Sequence, residues 1–116
     1  MNLKHYIDRA IMRELKRHND IDKAGVVSAY NKINKRIASE IRGGKELALY
    51  DNYAFQNKIK FENWDGVYAQ LKGLIGFLKE HKRYEPDWAK SPKADDLIRE
   101  IDKLANEVKR SFNTTL

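Results

Sequence analysis

Apolar residues recur at spacings of three and four through most of the chain, the period of a helix with one buried face. Leu3, Tyr6, Ile7, Ala10 and Ile11, with Leu15 at the edge, predict a first helix from an Asn2 N-cap to His18. The polar break Asn19-Asp20-Ile21-Asp22 follows, and Asp20 or Asp22 can cap a second helix to about Arg42. Its stripe is Val26, Tyr30, Ile33, Ile37 and Ile41, and Gly43-Gly44 ends it in the usual C-terminal manner. Asn63 can cap a helix from Trp64 to about Lys82, with Val67, Leu71, Leu74, Ile75 and Leu78 inward. Ser91-Pro92 is an N-cap followed by proline in the first turn, the sharpest boundary in the chain. The last helix then runs to about Phe112 on Leu97, Ile101, Leu104, Val108 and Phe112, widened by Ile98 and Ala105.

Residues 45–61 fit two patterns. Lys-Glu-Leu-Ala-Leu-Tyr has good helix propensity, yet Leu47, Leu49, Tyr53, Phe55, Ile59 and Phe61 also follow period two, with Asp51-Asn52 available as a turn. An isolated two-stranded hairpin is marginal in water, so a short helix over about 45–57 with an extended piece to Phe61 is expected. Residues 83–90 read as a linker holding an isolated Trp88. The expected fold is mainly α: a compact bundle of four to five helices, with a short extended segment near residues 55–61, forming a single helical domain over 1–116. The expected core comprises Leu3, Ile7, Ile11, Val26, Tyr30, Ile33, Ile37, Leu71, Leu74, Leu78, Leu97, Ile101, Leu104 and Val108.

Composition narrows the chemistry. The 116 residues contain no cysteine, which removes disulfides, thiolate metal sites and cysteine nucleophiles together. No apolar run approaches the ~20 residues of a membrane span. Charge appears within the first residues and no apolar h-region follows, so a signal peptide is not expected and a cytoplasmic location is. The three histidines stand far apart. Asp20-x-Asp22-x-x-Gly25 lacks the further acidic ligands of an EF-hand loop, and Gly43-Gly44-Lys45 lacks the upstream glycine and the following Ser or Thr of a P-loop. No metal and no cofactor is expected.

The net charge is +6, and its placement matters more than its size. Residues 1–42 hold 10 Lys/Arg against 5 Asp/Glu, whereas residues 85–116 hold 6 against 7. On the first predicted helix His5, Arg9, Arg13 and Lys16 share an arc of about 80° that contains no carboxylate. On the second, Ser28, Lys32, Lys35 and Ser39 form a similar arc with Arg36 at its edge. The last helix instead mixes signs, as in Asp95–Arg99 and Glu107–Arg110. Six of the chain's aromatics fall between residues 50 and 68, among Asn52, Gln56, Asn57, Lys58, Lys60 and Asn63. Phe55, Phe61 and Tyr68 are expected inside, and Tyr50, Tyr53 and Trp64 partly exposed as a contact surface suited to base stacking or to a protein partner. Gly66, Ala69, Gly73 and Gly76 share another arc, expected to mark a close contact with a neighbouring helix, ligand or partner.

Two function classes follow. The first is a small, basic, non-catalytic binding module, an accessory subunit or inhibitor. It would contact nucleic acid or an acidic surface of a nucleoprotein complex through His5, Arg9, Arg13, Lys16, Lys32, Lys35 and Arg36. The second rests on Arg13-x4-His18, which resembles the Arg-x(4–6)-His signature of the HEPN family of small helical ribonucleases and nucleic-acid-binding domains, although Glu14 stands where that family usually has a small polar residue. The resemblance implies a ribonuclease in which Arg13 stabilises developing charge and His18 transfers the proton. A structural helical adaptor without nucleic-acid contact is the remaining alternative. A homodimer through an amphipathic helix is compatible with each.

Overall fold

The computed structural model describes residues 22–113. The expected first helix, its contribution to the core and the Phe112 side chain lie outside the described residues. Helices follow one another directly: α1 (Lys23–Glu40), α2 (Gly44–Lys60), α3 (Trp64–His81), α4 (Pro86–Lys90) and α5 (Pro92–Asn113). Among the described residues there is no strand, and the mainly α bundle read from the sequence is the fold.

Three helix starts carry the caps their sequences announce. The Asp22 carboxylate accepts from the Gly25 amide at 3.0 Å, the Asn63 side chain from Gly66 at 3.0 Å, and Ser91 Oγ from Lys93 at 3.0 Å. The turn between α1 and α2 works differently. Gly43 has φ 73°, in the left-handed region. Gly44 opens α2 so close to α1 that a β-carbon there would lie 1.9 Å from the Ile37 carbonyl oxygen. The two glycines therefore start the next helix as much as they end the previous one.

α1 and α2 run antiparallel. The rings of Tyr30 and Phe55 stack at 3.7 Å, and Asn34 Nδ2 donates to the Ala48 carbonyl at 2.9 Å, so positions rise along one helix as they fall along the other. α3 and α5 are related in the same way, with Lys72 on Asp102 at 3.3 Å and Lys82 on Asp95 at 2.8 Å. α2 also packs on α3, α1 on α5, and the short α4 on α5. The result is an up-down-up-down bundle around one hydrophobic core. Val26, Tyr30, Ile33, Ile37, Leu71, Leu74, Leu78, Leu97, Ile101, Leu104 and Val108 are all buried in it, as the periodicity predicts.

Two expectations need correction. The segment near residues 55–61 is not extended: α2 continues to Lys60. Phe55 and Ile59, four apart, both enter the core, and Phe61 is left 69% exposed beyond the helix end instead of inside. The period-two pattern arises because Leu49, Tyr53 and Phe61 are apolar residues facing solvent. The linker over 83–90 contains the helical turn α4, whose Trp88 is buried and meets the His81 ring edge-on at 5.8 Å. A single aromatic has no period to read.

Leu74→Ala or Leu104→Ala should lower the unfolding free energy by about 2–5 kcal/mol. Tyr84→Ala, at a side chain facing solvent, should change it by no more than about 0.5 kcal/mol. Urea denaturation of the three variants checks the helix phases directly.

Candidate nucleic-acid interface

Counting the Asp22 cap, three of the four carboxylates of α1 and α2 are engaged within the bundle; the fourth, Glu46 in the first turn of α2, is exposed. Asp22 caps its helix. Glu40 holds Arg36 at 2.7 Å. Asp51 accepts a short hydrogen bond from the Tyr30 hydroxyl, and its backbone carbonyl accepts from Gln70 Nε2 at 2.8 Å. Burial, and then the bond to Asp51, push the Tyr30 phenol above its ordinary pKa, so the hydroxyl remains a donor at physiological pH.

The cations of the same helices are not consumed in this way. Lys32 and Lys35 are exposed on the outer face of α1, between exposed Ser28 and Ser39. Arg42 and Lys45, also exposed, continue the positive charge around the turn into α2. Among the described residues none of these four cations makes an ion pair. α1 itself places no acid on this face, and Lys23, Val27, Ser28, Asn31, Lys32 and Lys35 line a shallow depression along it, while Ser28 and Lys32 also border a groove walled on the far side by Asp96, Glu100 and Glu107 of α5.

Arg36 departs from the sequence reading. Its guanidinium bonds Glu40, Asp96 at 2.9 Å and the Lys93 carbonyl at 3.1 Å. The hydrogen bond to Glu40, reinforced by Asp96, raises its pKa further. Arg36 therefore fastens α1 to the start of α5 and is not a free contact for a partner. Asp95 is likewise engaged, its carboxyl held below the usual range by the hydrogen bond from Lys82.

The aromatic expectations divide. Tyr50 and Tyr53 are 75% and 78% exposed on the outer face of α2, beside Leu49. Trp64 and Tyr68 are half-buried against the core, so Trp64 serves packing more than contact. Phe55 is enclosed. The exposed side of α2 also presents Gln56, Asn57 and Lys60.

The stripe Gly66, Ala69, Gly73, Gly76 meets no neighbouring helix at Gly73 and Gly76 among the described residues. A β-carbon at Gly66 would strike the Asn63 capping side chain at 2.5 Å, a contact within its own helix. At Gly73 and Gly76 nothing among the described residues lies within 4 Å of that position, and both are exposed. Shared phase on a helix does not say which neighbour a face meets, and the face that meets α5 is the Leu71–Leu74–Leu78 side. His5, Arg9, Arg13, Lys16 and His18 lie outside the described residues, and with them the Arg13/His18 pair. Among the described residues no group of His, Asp and Glu is placed to hold a metal ion, and no helix is long and apolar enough to cross a membrane.

Gly73→Ala and Gly76→Ala should each raise stability by about 0.5–1 kcal/mol in thermal or urea unfolding, since alanine is the better helix former and the space is open. Destabilisation by either would show that this face is covered. No protein-family model matches the chain, and neither a curated protein nor a solved structure matches it significantly.

Proposed function

We propose that this chain is a small, non-catalytic binding module that contacts nucleic acid through the outer face of α1, as an accessory subunit or inhibitor of a cytoplasmic nucleic-acid-handling complex. The observation that carries the reading is the acid-free face of α1. Among the described residues Lys32 and Lys35 project there without a carboxylate partner, while of the acids of α1 and α2 Asp22 caps its helix, Glu40 pairs with Arg36, Asp51 accepts from Tyr30 and Glu46 is exposed. A helix face without a charged partner normally alternates signs, because opposite charges four apart stabilise it by a few tenths of a kcal/mol. The outer face of α5 does so and α1 does not. Phosphate contact is the interaction that makes such a face useful, since each cation on the backbone releases condensed counterions. The chain's net charge of +6 adds long-range attraction.

Lys32→Glu with Lys35→Glu should weaken binding to a generic duplex strongly at ~50 mM salt. It should also lower the slope of log K against log salt by about two units. The melting temperature should stay nearly unchanged, because both side chains are exposed and make no ion pair among the described residues. Unchanged affinity in the double variant would contradict the reading. Equally tight binding of the parent to polyglutamate would point to an acidic protein surface instead.

A further inference from the structure

Among the described residues six large apolar side chains are exposed, and four of them, Leu49, Tyr50, Tyr53 and Phe61, belong to α2 and its C-cap. α2 already buries Ala48, Phe55 and Ile59 on its inner side, so its packing in the bundle requires nothing apolar on the other. Exposed apolar groups clustered on one face mark a contact surface. The exposed charges along this face are Lys45 and Glu46 at the start of the helix, Lys60 at its end and Glu62 just beyond. Asp51 and Lys58 are half-buried and line the trough shared with α3. Neither Glu46 nor Lys60 makes an ion pair among the described residues.

The face is complementary to itself. Glu46, Tyr53 and Lys60 follow at intervals of seven residues, so they lie within about 40° of one line along the helix. Glu46 and Lys60 therefore stand about 10 Å to either side of Tyr53. A second α2 laid antiparallel, with a twofold axis at Tyr53, brings Glu46 of each copy level with Lys60 of the other, twice. Leu49, Tyr50 and Tyr53 of both copies then meet around the axis, bordered by the exposed amides of Gln56 and Asn57. An apolar centre with polar and charged ends is the anatomy of a specific interface. A parallel pair would instead set Glu46 against Glu46 and Lys60 against Lys60, and a polyanion would meet Glu46 near the middle line of the face. The four apolar side chains, mostly exposed, offer on the order of 500 Å². Glu46, Gln56, Asn57 and Lys60 beside them bring the face towards the ~800 Å² per partner of a standard interface.

We infer that the outer face of α2 binds a second copy of this chain, as an antiparallel, twofold-symmetric helix pair centred on Tyr53 with Glu46 and Lys60 paired across it. The inference does not depend on what α1 binds.

The test is sedimentation equilibrium of the full chain from low micromolar to near-millimolar concentration. The mass should rise from that of one 13.6 kDa chain to that of two. Leu49→Ala with Tyr53→Ala should raise the dissociation constant at least ~10-fold. Glu46→Lys and Lys60→Glu should each weaken the dimer alone, because each sets like charges opposite one another twice. Mixed in equal amounts, these two charge variants should associate as tightly as the parent, since opposite signs then meet at both ends. Circular dichroism should show every variant as helical as the parent, because all four positions are exposed. A single-chain mass at every concentration would overturn the inference. So would a dimer that survives the alanine pair, a dimer indifferent to both charge variants, or charge variants that do not recover on mixing.

Discussion

At Gly44 the start of α2 lies so close to α1 that the placement of every later helix follows from it. With no room for a β-carbon against the Ile37 carbonyl, any other residue would push the start of α2 away from α1. The tight turn sets the register that brings Tyr30 onto Phe55 and Asn34 onto the Ala48 carbonyl. Those contacts fix which side of α2 is inward. They also fix what is outward: once Phe55 and Ile59 are buried, Leu49, Tyr50 and Tyr53 must face water. One steric requirement thus determines both the core and the composition of the outer surface.

Electrostatics divides the bundle along a second line. The cross-helix ion pairs of the described residues, Arg36–Asp96, Lys72–Asp102 and Lys82–Asp95, all end on α5. α5 therefore acts as the acidic partner for α1 and α3. Such pairs are partly exposed and individually weak, so the apolar seams hold the bundle and the pairs set how the helices are aligned along it. Arg36 illustrates the difference between charge that builds the fold and charge left for a partner. It lies one residue from Lys35, yet its guanidinium points into a carboxylate pair while Lys35 makes no ion pair among the described residues.

Periodicity made α1, α3 and α5 legible because each carries a single dominant stripe, and the caps at Asp22, Asn63 and Ser91 were readable because capping is a local event. Where the reading failed, the deciding interaction was not local. Residues 45–61 mimic a strand because α2 has apolar groups on both sides, and only packing on α1 tells Phe55 from Tyr53. Trp88 is buried through contact with His81, which lies in α3 and in no shared pattern with it. Arg36 looks like Lys35 until Asp96, sixty residues away, is brought beside it. The glycines at 73 and 76 share a phase, but phase does not identify which helix lies opposite. Of the expected contact set, the exposed positions of Lys32, Lys35, Tyr50 and Tyr53 follow from helix phase, and what they bind is a matter of chemistry beyond the fold.

Binding through the outer face of α1 is tested by backbone amide shifts of the full chain, labelled with nitrogen-15 and titrated with a nucleic-acid duplex at low salt. The largest changes are expected over residues 28–39 of α1, with residues 95–107 of α5 little changed. Changes confined to α5, or absent from α1, would contradict the assignment.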